Sequence, residues 1–345
     1  MIEVQLPSSK CRKCPLFPRI RHHVPARKTA GAVLAFVGEA PGRDEVTSHL
    51  PFVGYAGKLL QFLAKKAGID WYEITVSNIL KCNPEGNHLP EGLELEIAID
   101  CCSEILREDL RGVRVIVGLG AVPLYAMTKK SGIIVHRGSV YELSPGRFYI
   151  PTVHPSALRR ARFVRQEKNK KLTIPPREVI IADLVRAKKI ADDIHFTLPK
   201  PEILTHPTPE EQRRFLKMLQ DPEVEIGVDI ETTREDKTEC VVPLIIAFAT
   251  MDLAIVADFE EDLDFIAEAL ESPAKKIMHN GQIFDIYVME NVGFKVNNYE
   301  FDTMYAHHTV YAELQHKLAF VQSLHSYLPY HKDMKEDIVG EEWEK

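Results

Sequence analysis

Residues 33–154 alternate between short apolar runs and longer helical patterns, and this alternation limits the possible folds more than any other feature of the sequence. Four runs rich in β-branched residues predict strands: VLAFVGE (33–39), EITVSNIL (73–80), VRVIVGLG (113–120) and RFYIPTVH (147–154). Helical patterns at 57–68 and 95–110 lie between them. Strands that alternate with helices form a mostly parallel sheet with helices on both faces.

Polar side chains occur where the predicted strands end. Glu39, Asn78 and His154 each stand at or just past such an end. Ligands of open α/β sheets bind beyond the carboxyl ends of the strands. We therefore expect one pocket to hold all three side chains.

The charge of the chain is divided unequally between its two halves. Residues 1–195 carry 30 Lys and Arg against 20 Asp and Glu, whereas residues 196–345 carry 13 against 30. This asymmetry predicts two modules, of which the first suits a polyanion. Four prolines at 196–211 mark the expected linker. The chain lacks a long apolar run and a secretory signal pattern, which predicts a cytoplasmic protein without membrane segments.

Cysteines in the first half have the spacing of metal ligands. Cys11 and Cys14 form a CxxC pair, Cys82 follows a strand end, and Cys101 and Cys102 lie on a predicted helix. One of the last two would complete four thiolates, enough for tetrahedral zinc or a [4Fe–4S] cluster. Spacing alone does not separate these metals, and buried thiols that pack as small hydrophobes remain an alternative.

Several motifs occur in an order that closely resembles family 4, iron–sulfur uracil-DNA glycosylases. The opening CxxC precedes GEAPGRDE (38–45), PFVGYAGKLL (51–60), NILKCNPEGN (78–87) and HPSAL (154–158). The resemblance covers roughly residues 8–195. It implies a three-layer α/β/α domain and a [4Fe–4S] cluster rather than zinc, with Cys102 favoured over Cys101 beside Cys11, Cys14 and Cys82.

The same resemblance implies roles in removing uracil from DNA. An enzyme that acts on a base takes it out of the stack into a tight pocket, where Phe52 supplies a stacking face. Asn78 would read the uracil edge, His154 would donate toward uracil O2, and Glu39 would stabilise the sugar cation or orient water. The other substrate-binding residues expected are Gly38, Ala40, Pro41, Gly42, Glu45 and Ser156.

A basic segment follows the HPSAL motif directly. Residues 159–171 hold seven Lys and Arg in thirteen positions. Ala157 and Leu158, just before this segment, are the expected minor-groove wedge, and the positive charges behind them predict contacts to DNA phosphates. The expected partner is uracil-containing DNA, single- or double-stranded.

Paired carboxylates mark the acidic half. Asp229 and Glu231 are two apart on a predicted strand and therefore share a face, an arrangement suited to divalent metal ions. With Asn280 and Asp285 they resemble the 3′–5′ proofreading exonuclease domain of family A DNA polymerases, a ribonuclease H-like fold. The resemblance implies Mg²⁺ (or Mn²⁺) at Asp229, Glu231 and Asp285. Asp302 matches an FDTM element outside the metal site.

The two resemblances together describe the front part of a bacteriophage-type family A polymerase. The predicted domains are a glycosylase-like domain at 1–195, a linker at 196–211 and a truncated exonuclease domain at 212–345, with the rest of a polymerase as an expected partner. Host cell cytoplasm is then the expected location. The Tyr-x3-Asp motif of such nucleases does not follow Asp285, so we expect little exonuclease activity in this chain.

One alternative remains open for the first domain. A catalytically retired module could grip DNA or sense template uracil without releasing it. A dinucleotide-binding domain is disfavoured, because GxGxxG with a later acid is absent from the sequence.

Overall fold

Two compact units make up the chain, and each contains one sheet. The computed structural model describes residues 7–158, 177–233, 241–311 and 316–327. The first unit is Met1–Leu198 with Gln322–Lys345, and the second is Pro199–Val321. In the described ranges, no helix combines the length and apolarity needed to cross a membrane.

The sheet of the first unit has five strands in the order β2-β1-β3-β5-β4. These strands are β1 (Leu34–Gly38), β2 (Thr75–Asn78), β3 (Val115–Leu119), β4 (Tyr141–Ser144) and β5 (Arg147–Thr152). The four predicted strands are present and run parallel, whereas β4, which the sequence analysis missed, pairs antiparallel with β5. The parallel pairing brings Gly38 beside Asn78.

Helices cover both faces of this sheet. They are α1 (Arg43–Ser48), α2 (Tyr55–Lys66), α3 (Gly92–Asp109), α4 (Ala121–Thr128), α5 (Ile133–His136) and α6 (Arg177–Asp192). Short 3₁₀ helices occupy Ser9–Lys13, Phe17–His22 and Glu85–Asn87. Leu34 and Phe36 of β1 join the core under α2 and α6, while Ala35 and Val37 join the core on the other face with α3. Successive side chains of β1 point to opposite faces of the sheet, so both faces are apolar and both are covered by helices. This gives the three predicted layers.

The second unit contains a mixed six-stranded sheet in the order β11-β10-β7-β8-β9-β6. Its strands are β6 (Glu202–Leu204), β7 (Glu225–Thr232), β8 (Pro243–Ala249), β9 (Leu253–Asp258), β10 (Lys275–Met278) and β11 (Tyr299–Asp302). The later helices are α7 (Pro209–Met218), α8 (Leu263–Glu271), α9 (Asp285–Asn291), α10 (Thr303–Val310) and α11 (Leu318–His325). Strands β7, β8 and β9 are antiparallel neighbours, and β10 and β11 continue the sheet in parallel from β7.

The proline-rich segment at 196–211 is more regular than the sequence analysis predicted. Strand β6 lies inside it and pairs with β9, and α7 begins at Pro209. Proline is compatible with the first turn of a helix, because its missing N–H would have no helical partner there. Thr208 and Glu211 cap this helix reciprocally. The prolines thus flank short elements rather than excluding them.

The residues after α10 do not all belong to the second unit. The backbone N–H of Val140 donates to the carbonyl of Tyr327 at 3.1 Å, and Arg186 donates to the carbonyl of Leu324 at 2.6 Å. The Tyr327 ring lies 5.3 Å from that of Phe196. The buried guanidinium of Arg186 needs hydrogen-bond acceptors, and the Leu324 carbonyl is one of them. The described residues after Val321 therefore group with the first unit.

Candidate active sites

Gly38 ends β1 at the point where two predicted substrate contacts meet. A Cβ atom at this position would lie 2.4 Å from Asn78 Oδ1 and 2.5 Å from Phe52 Cζ. The Asn78 amide and the Phe52 ring edge therefore rest directly against the bare Gly38 backbone. Asn78 and Phe52 are both buried, with 5% and 4% of their surface exposed. The structure thus brings Gly38, Phe52 and Asn78 together at the end of β1.

Phe52 adopts a backbone conformation that is unusual for a side chain of its size. Its φ of 57° lies in the left-handed region. The start of α2 holds it there: a Cβ on Gly57 would lie 1.9 Å from the Phe52 carbonyl oxygen, and Gln61 donates to the same oxygen at 3.2 Å. Strain of this kind persists where the surrounding structure requires it, commonly at ligand sites.

His154 follows β5 and faces the same region. Its ring centroid lies 6.4 Å from that of Phe52. Its Nδ1 atom accepts the backbone N–H of Ser156 at 3.2 Å and lies 2.7 Å from the Ser156 hydroxyl. An Nδ1 that accepts an N–H carries no proton, so a neutral ring bears its proton on Nε2. In this tautomer His154 is a hydrogen-bond donor at Nε2.

The turn after β1 is braced by residues of the sequence motifs. Glu45 accepts the backbone N–H of Gly42, and the amides of Phe52 and Gly54 also bond to it. Burial raises the pKa of the Glu45 carboxyl, which these amides oppose. Asn83, which the sequence analysis did not single out, donates to the Pro41 carbonyl at 2.6 Å. The sequence Cys-Asn-Pro after β2 is typical of a turn and could have indicated a structural role for this asparagine.

Glu39 and Ala40 occupy the first two positions after β1, and both side chains are half-buried. The Glu39 carbonyl accepts the backbone N–H of Leu80 at 2.9 Å, which extends the pairing of β1 and β2 past their ends. The Glu39 backbone is therefore fixed beside the end of β2.

Replacement of Gly38 by alanine should disable this site. The added Cβ must displace Phe52 or Asn78, and a misplacement of about 1 Å costs roughly 10²-fold in rate. Gly227 of β7 is a matched control, because a Cβ there meets its nearest atom, the Ala249 carbonyl oxygen, at 3.7 Å. We expect uracil release from DNA to fall in Gly38→Ala and to stay unchanged in Gly227→Ala. Equal rates of uracil release by Gly38→Ala and Gly227→Ala would contradict the close packing of Phe52 and Asn78 against Gly38.

Five cysteines line one small cavity of the first unit. They are Cys11, Cys14, Cys82, Cys101 and Cys102. Burial is the main cause that raises the pKa of Cys14 to about 11 and of Cys82 to about 12, and neighbouring thiols add to it. Cys102 contributes to the raised pKa of both Cys14 and Cys82, and Cys101 forms a hydrogen bond with Cys14. Among the residues that the structure describes, no group of three or more His, Cys, Asp or Glu side chains has the geometry of a metal site.

Carboxylates of the second unit meet at one end of its sheet. Asp229 of β7 and Asp285 of α9 line an open cleft with His279, Asn280 and other residues. Asp285 is 4% exposed and accepts the backbone N–H of Ile230 at 3.3 Å. Burial, followed by the charge of Asp229, raises the pKa of Asp285 to about 6. Mutual repulsion of this kind is relieved by a divalent cation.

Glu231 and Asp302 are not among the residues that line this cleft. Glu231 is exposed on β7, two residues beyond Asp229, but it does not line the cleft. Asp302 accepts four backbone N–H groups at 2.8 to 3.2 Å, those of Asn280, Gly281, Met304 and Tyr305. Asp302 therefore holds the start of α10 against the loop after β10, which explains the FDTM element structurally.

The basic segment at 159–171 falls outside the described residues. Ala157 and Leu158, the expected wedge, end the described part of this region; Ala157 is buried and Leu158 is half-buried.

The first unit has the fold and motifs of the uracil DNA glycosylase superfamily, which residues 27–176 match. The type-4 uracil-DNA glycosylase of Thermotoga maritima is 33% identical over 183 residues, which cover 52% of this chain and 88% of that protein. The chain therefore belongs to the type-4 uracil-DNA glycosylase family. This confirms the resemblance inferred from the motifs.

The second unit corresponds to a different family. Residues 204–341 match the 3′-5′ exonuclease family model, which confirms the predicted order of the two α/β domains. A DNA polymerase of Bacillus phage SP01 is 28% identical over 208 residues, which cover 59% of this chain and 21% of that protein. The catalytic core of RRP6 from Trypanosoma brucei aligns with a TM-score of 0.32 and 18% identity, over 39% of this chain and 37% of that one.

Proposed function

We propose that this protein is a uracil-DNA glycosylase, which hydrolyses the bond between uracil and deoxyribose in DNA. The observation that carries the proposal is the packing of Asn78 and Phe52 against Gly38, with His154 beside Phe52. Stacking on Phe52 stabilises a base flipped out of the helix, by ~1–3 kcal/mol for a stacked base. The Asn78 amide can accept from uracil N3–H and donate to O4, a pattern that cytosine does not match.

The reaction breaks the bond between C1′ of the sugar and N1 of uracil. Negative charge develops on the leaving uracil, and the N–H at Nε2 of His154 stabilises that charge at O2. Positive charge develops on the sugar, where Glu39 supplies a carboxylate. Water then adds its oxygen to C1′, and the proton that it releases neutralises the uracil anion, which leaves an abasic site and free uracil.

A single-uracil oligonucleotide, treated with alkali to cleave abasic sites, tests this proposal. The wild-type protein should cleave the strand at the uracil position, and Asn78→Asp should lower kcat/KM roughly 10- to 100-fold, because an ionised carboxylate cannot donate to O4. Binding to uracil-containing DNA without release would favour the retired module instead.

We also propose that Cys11, Cys14, Cys82 and Cys102 hold a [4Fe–4S] cluster. The convergence of buried thiols in one cavity fits such a group, which requires four thiolates. The cluster would join the N-terminal 3₁₀ helix, the loop after β2 and α3. The cysteine side chains would have to lose their protons on binding, since burial alone favours the thiol form.

The second unit is proposed to bind Mg²⁺ or Mn²⁺ at Asp229 and Asp285, with Glu231 as a further ligand. The raised pKa of Asp285 beside Asp229 supports this proposal. The chain lacks the Tyr-x3-Asp motif after Asp285, so little 3′–5′ exonuclease activity is expected from it. Similarity to a phage DNA polymerase suggests that the partners are DNA and the remainder of such a polymerase.

Asp285→Asn should stabilise the metal-free protein at pH 7.5. The pKa of Asp285 rises from 3.8 to about 6 on folding, so the folded protein favours the protonated carboxyl. The stability that this preference contributes is fully present below pH 3.8 and is lost as the pH rises through 6. Removing the charge should therefore raise the free energy of unfolding by about 3 kcal/mol at pH 7.5, and by less at pH 5.

Chemical denaturation in EDTA, and again with Mg²⁺, measures this effect. Mg²⁺ should stabilise the wild type but not the Asp285→Asn variant. Glu268→Gln, on the exposed face of α8, serves as the control and should change neither value. A wild type that is as stable as Asp285→Asn in EDTA would contradict the electrostatic penalty.

A further inference from the structure

A buried ammonium lies directly behind the proposed uracil-reading residue. Lys81 is 1% exposed, and its Nζ atom donates to the Asn78 carbonyl at 2.6 Å. It also donates to Asp109 at 2.6 Å and to the Ser77 hydroxyl at 2.5 Å. All three protons of the ammonium therefore have acceptors. Burying this charge is costly, and the paired carboxylate of Asp109 makes it possible.

The location of Asn78 explains why its backbone needs such a partner. Strand β2 is at the edge of the sheet, so its outer side has no neighbouring strand. A preceding segment covers this side before and after Asn78: Arg27 pairs with Val76 before it, and the backbone N–H of Val24 donates to the Lys81 carbonyl after it. Asn78 lies between these two contacts. Its carbonyl accepts from the Lys81 ammonium at 2.6 Å and, at the longer distance of 3.5 Å, from the Ser77 hydroxyl.

We propose that Lys81 is a positioning residue of the uracil pocket, and that its ammonium, held by Asp109 and Ser77, fixes the backbone of Asn78 and thereby the amide that reads uracil. The inference rests on the proposed glycosylase function. Lys81 itself does not contact the base, since its ammonium is enclosed by protein acceptors. Its effect is therefore expected in uracil recognition rather than in DNA binding.

Replacing the buried ion pair by apolar residues tests this role without leaving a charge unpaired. Such exchanges are often neutral for stability, so Lys81→Met combined with Asp109→Leu should fold. The expected result is a 10- to 100-fold lower kcat/KM for uracil release, the range that follows from losing a hydrogen bond to a charged group. Inhibition by free uracil should weaken by a similar factor, with affinity for uracil-free DNA and iron content unchanged.

Lys276→Met is the matched control. Lys276 is also a fully buried lysine that donates to backbone carbonyls, those of Ser272 and Ala274, but it lies in the second unit. This variant should release uracil at the wild-type rate. A comparable loss of uracil release in Lys276→Met would overturn the specific role of Lys81.

Ser77→Ala gives a second test that buries no charge and leaves Lys81 paired with Asp109. It removes one of the three acceptors and should weaken inhibition by free uracil at least threefold. If the double variant does not fold, Ser77→Ala still tests the inference. Inhibition of Ser77→Ala by free uracil as strong as that of the wild-type protein would overturn it. A wild-type protein that releases no uracil at all would instead refute the proposed function. If the wild-type protein releases uracil and the Lys81 and Ser77 variants release it and are inhibited by it equally well, only the role of Lys81 is refuted.

Discussion

His154→Ala is expected to slow uracil release by about 10²–10³-fold while DNA binding changes little. A neutral ring that accepts the Ser156 backbone N–H at Nδ1 carries its proton on Nε2. A donor fixed in this way contributes mainly when charge develops on uracil O2, and removing one such donor typically costs this much in rate. Single-turnover release of uracil, measured alongside binding of the same oligonucleotide, separates the two effects.

Three further variants make this measurement specific. Ser156→Ala removes the hydroxyl but keeps the backbone N–H, so a smaller reduction, about tenfold or less, is expected. Glu39→Ala should also slow release more than it weakens binding. His195→Ala, in the exposed turn after α6, should behave like the wild type. A His154→Ala variant that releases uracil at the wild-type rate would remove His154 from the mechanism.

Cys82→Ser is expected to bleach the protein and to destabilise the first unit. Purified wild-type protein should be brown, with broad absorption near ~400 nm from an iron–sulfur cluster. Metal binding to cysteines that are far apart in sequence contributes directly to folding free energy. The loss of one ligand should therefore lower both the iron content and the midpoint of thermal unfolding.

The neighbouring pair Cys101 and Cys102 provides the matched comparison. Cys102 packs in the same core cluster as Cys82, and Cys101 does not. We expect Cys102→Ser to lose iron and Cys101→Ser to retain it. The opposite result would exchange their roles. A colourless wild-type protein that holds stoichiometric zinc would refute the cluster itself.

Much of the fold follows from local patterns in the sequence. Strands β1, β2, β3 and β5 and helices α2 and α3 were predicted because apolar periodicity is a property of neighbouring residues. Strand β4 was missed because its side chains alternate between half-buried and exposed positions without a strong apolar run. Strand β6 was missed because its three residues lie among prolines, and its pairing with β9 depends on a partner about 50 residues away.

The sequence by itself determined which residues are candidates for chemistry, because ordered motifs carry Glu39, Phe52, Asn78, His154 and the cysteines. Only the tertiary structure decided how they act. The protonated nitrogen of His154 depends on where Ser156 turns back, and the role of Lys81 depends on Asp109, which is 28 residues away on α3. Such contacts arise from the packing of separate elements, and spacing along the chain does not specify them.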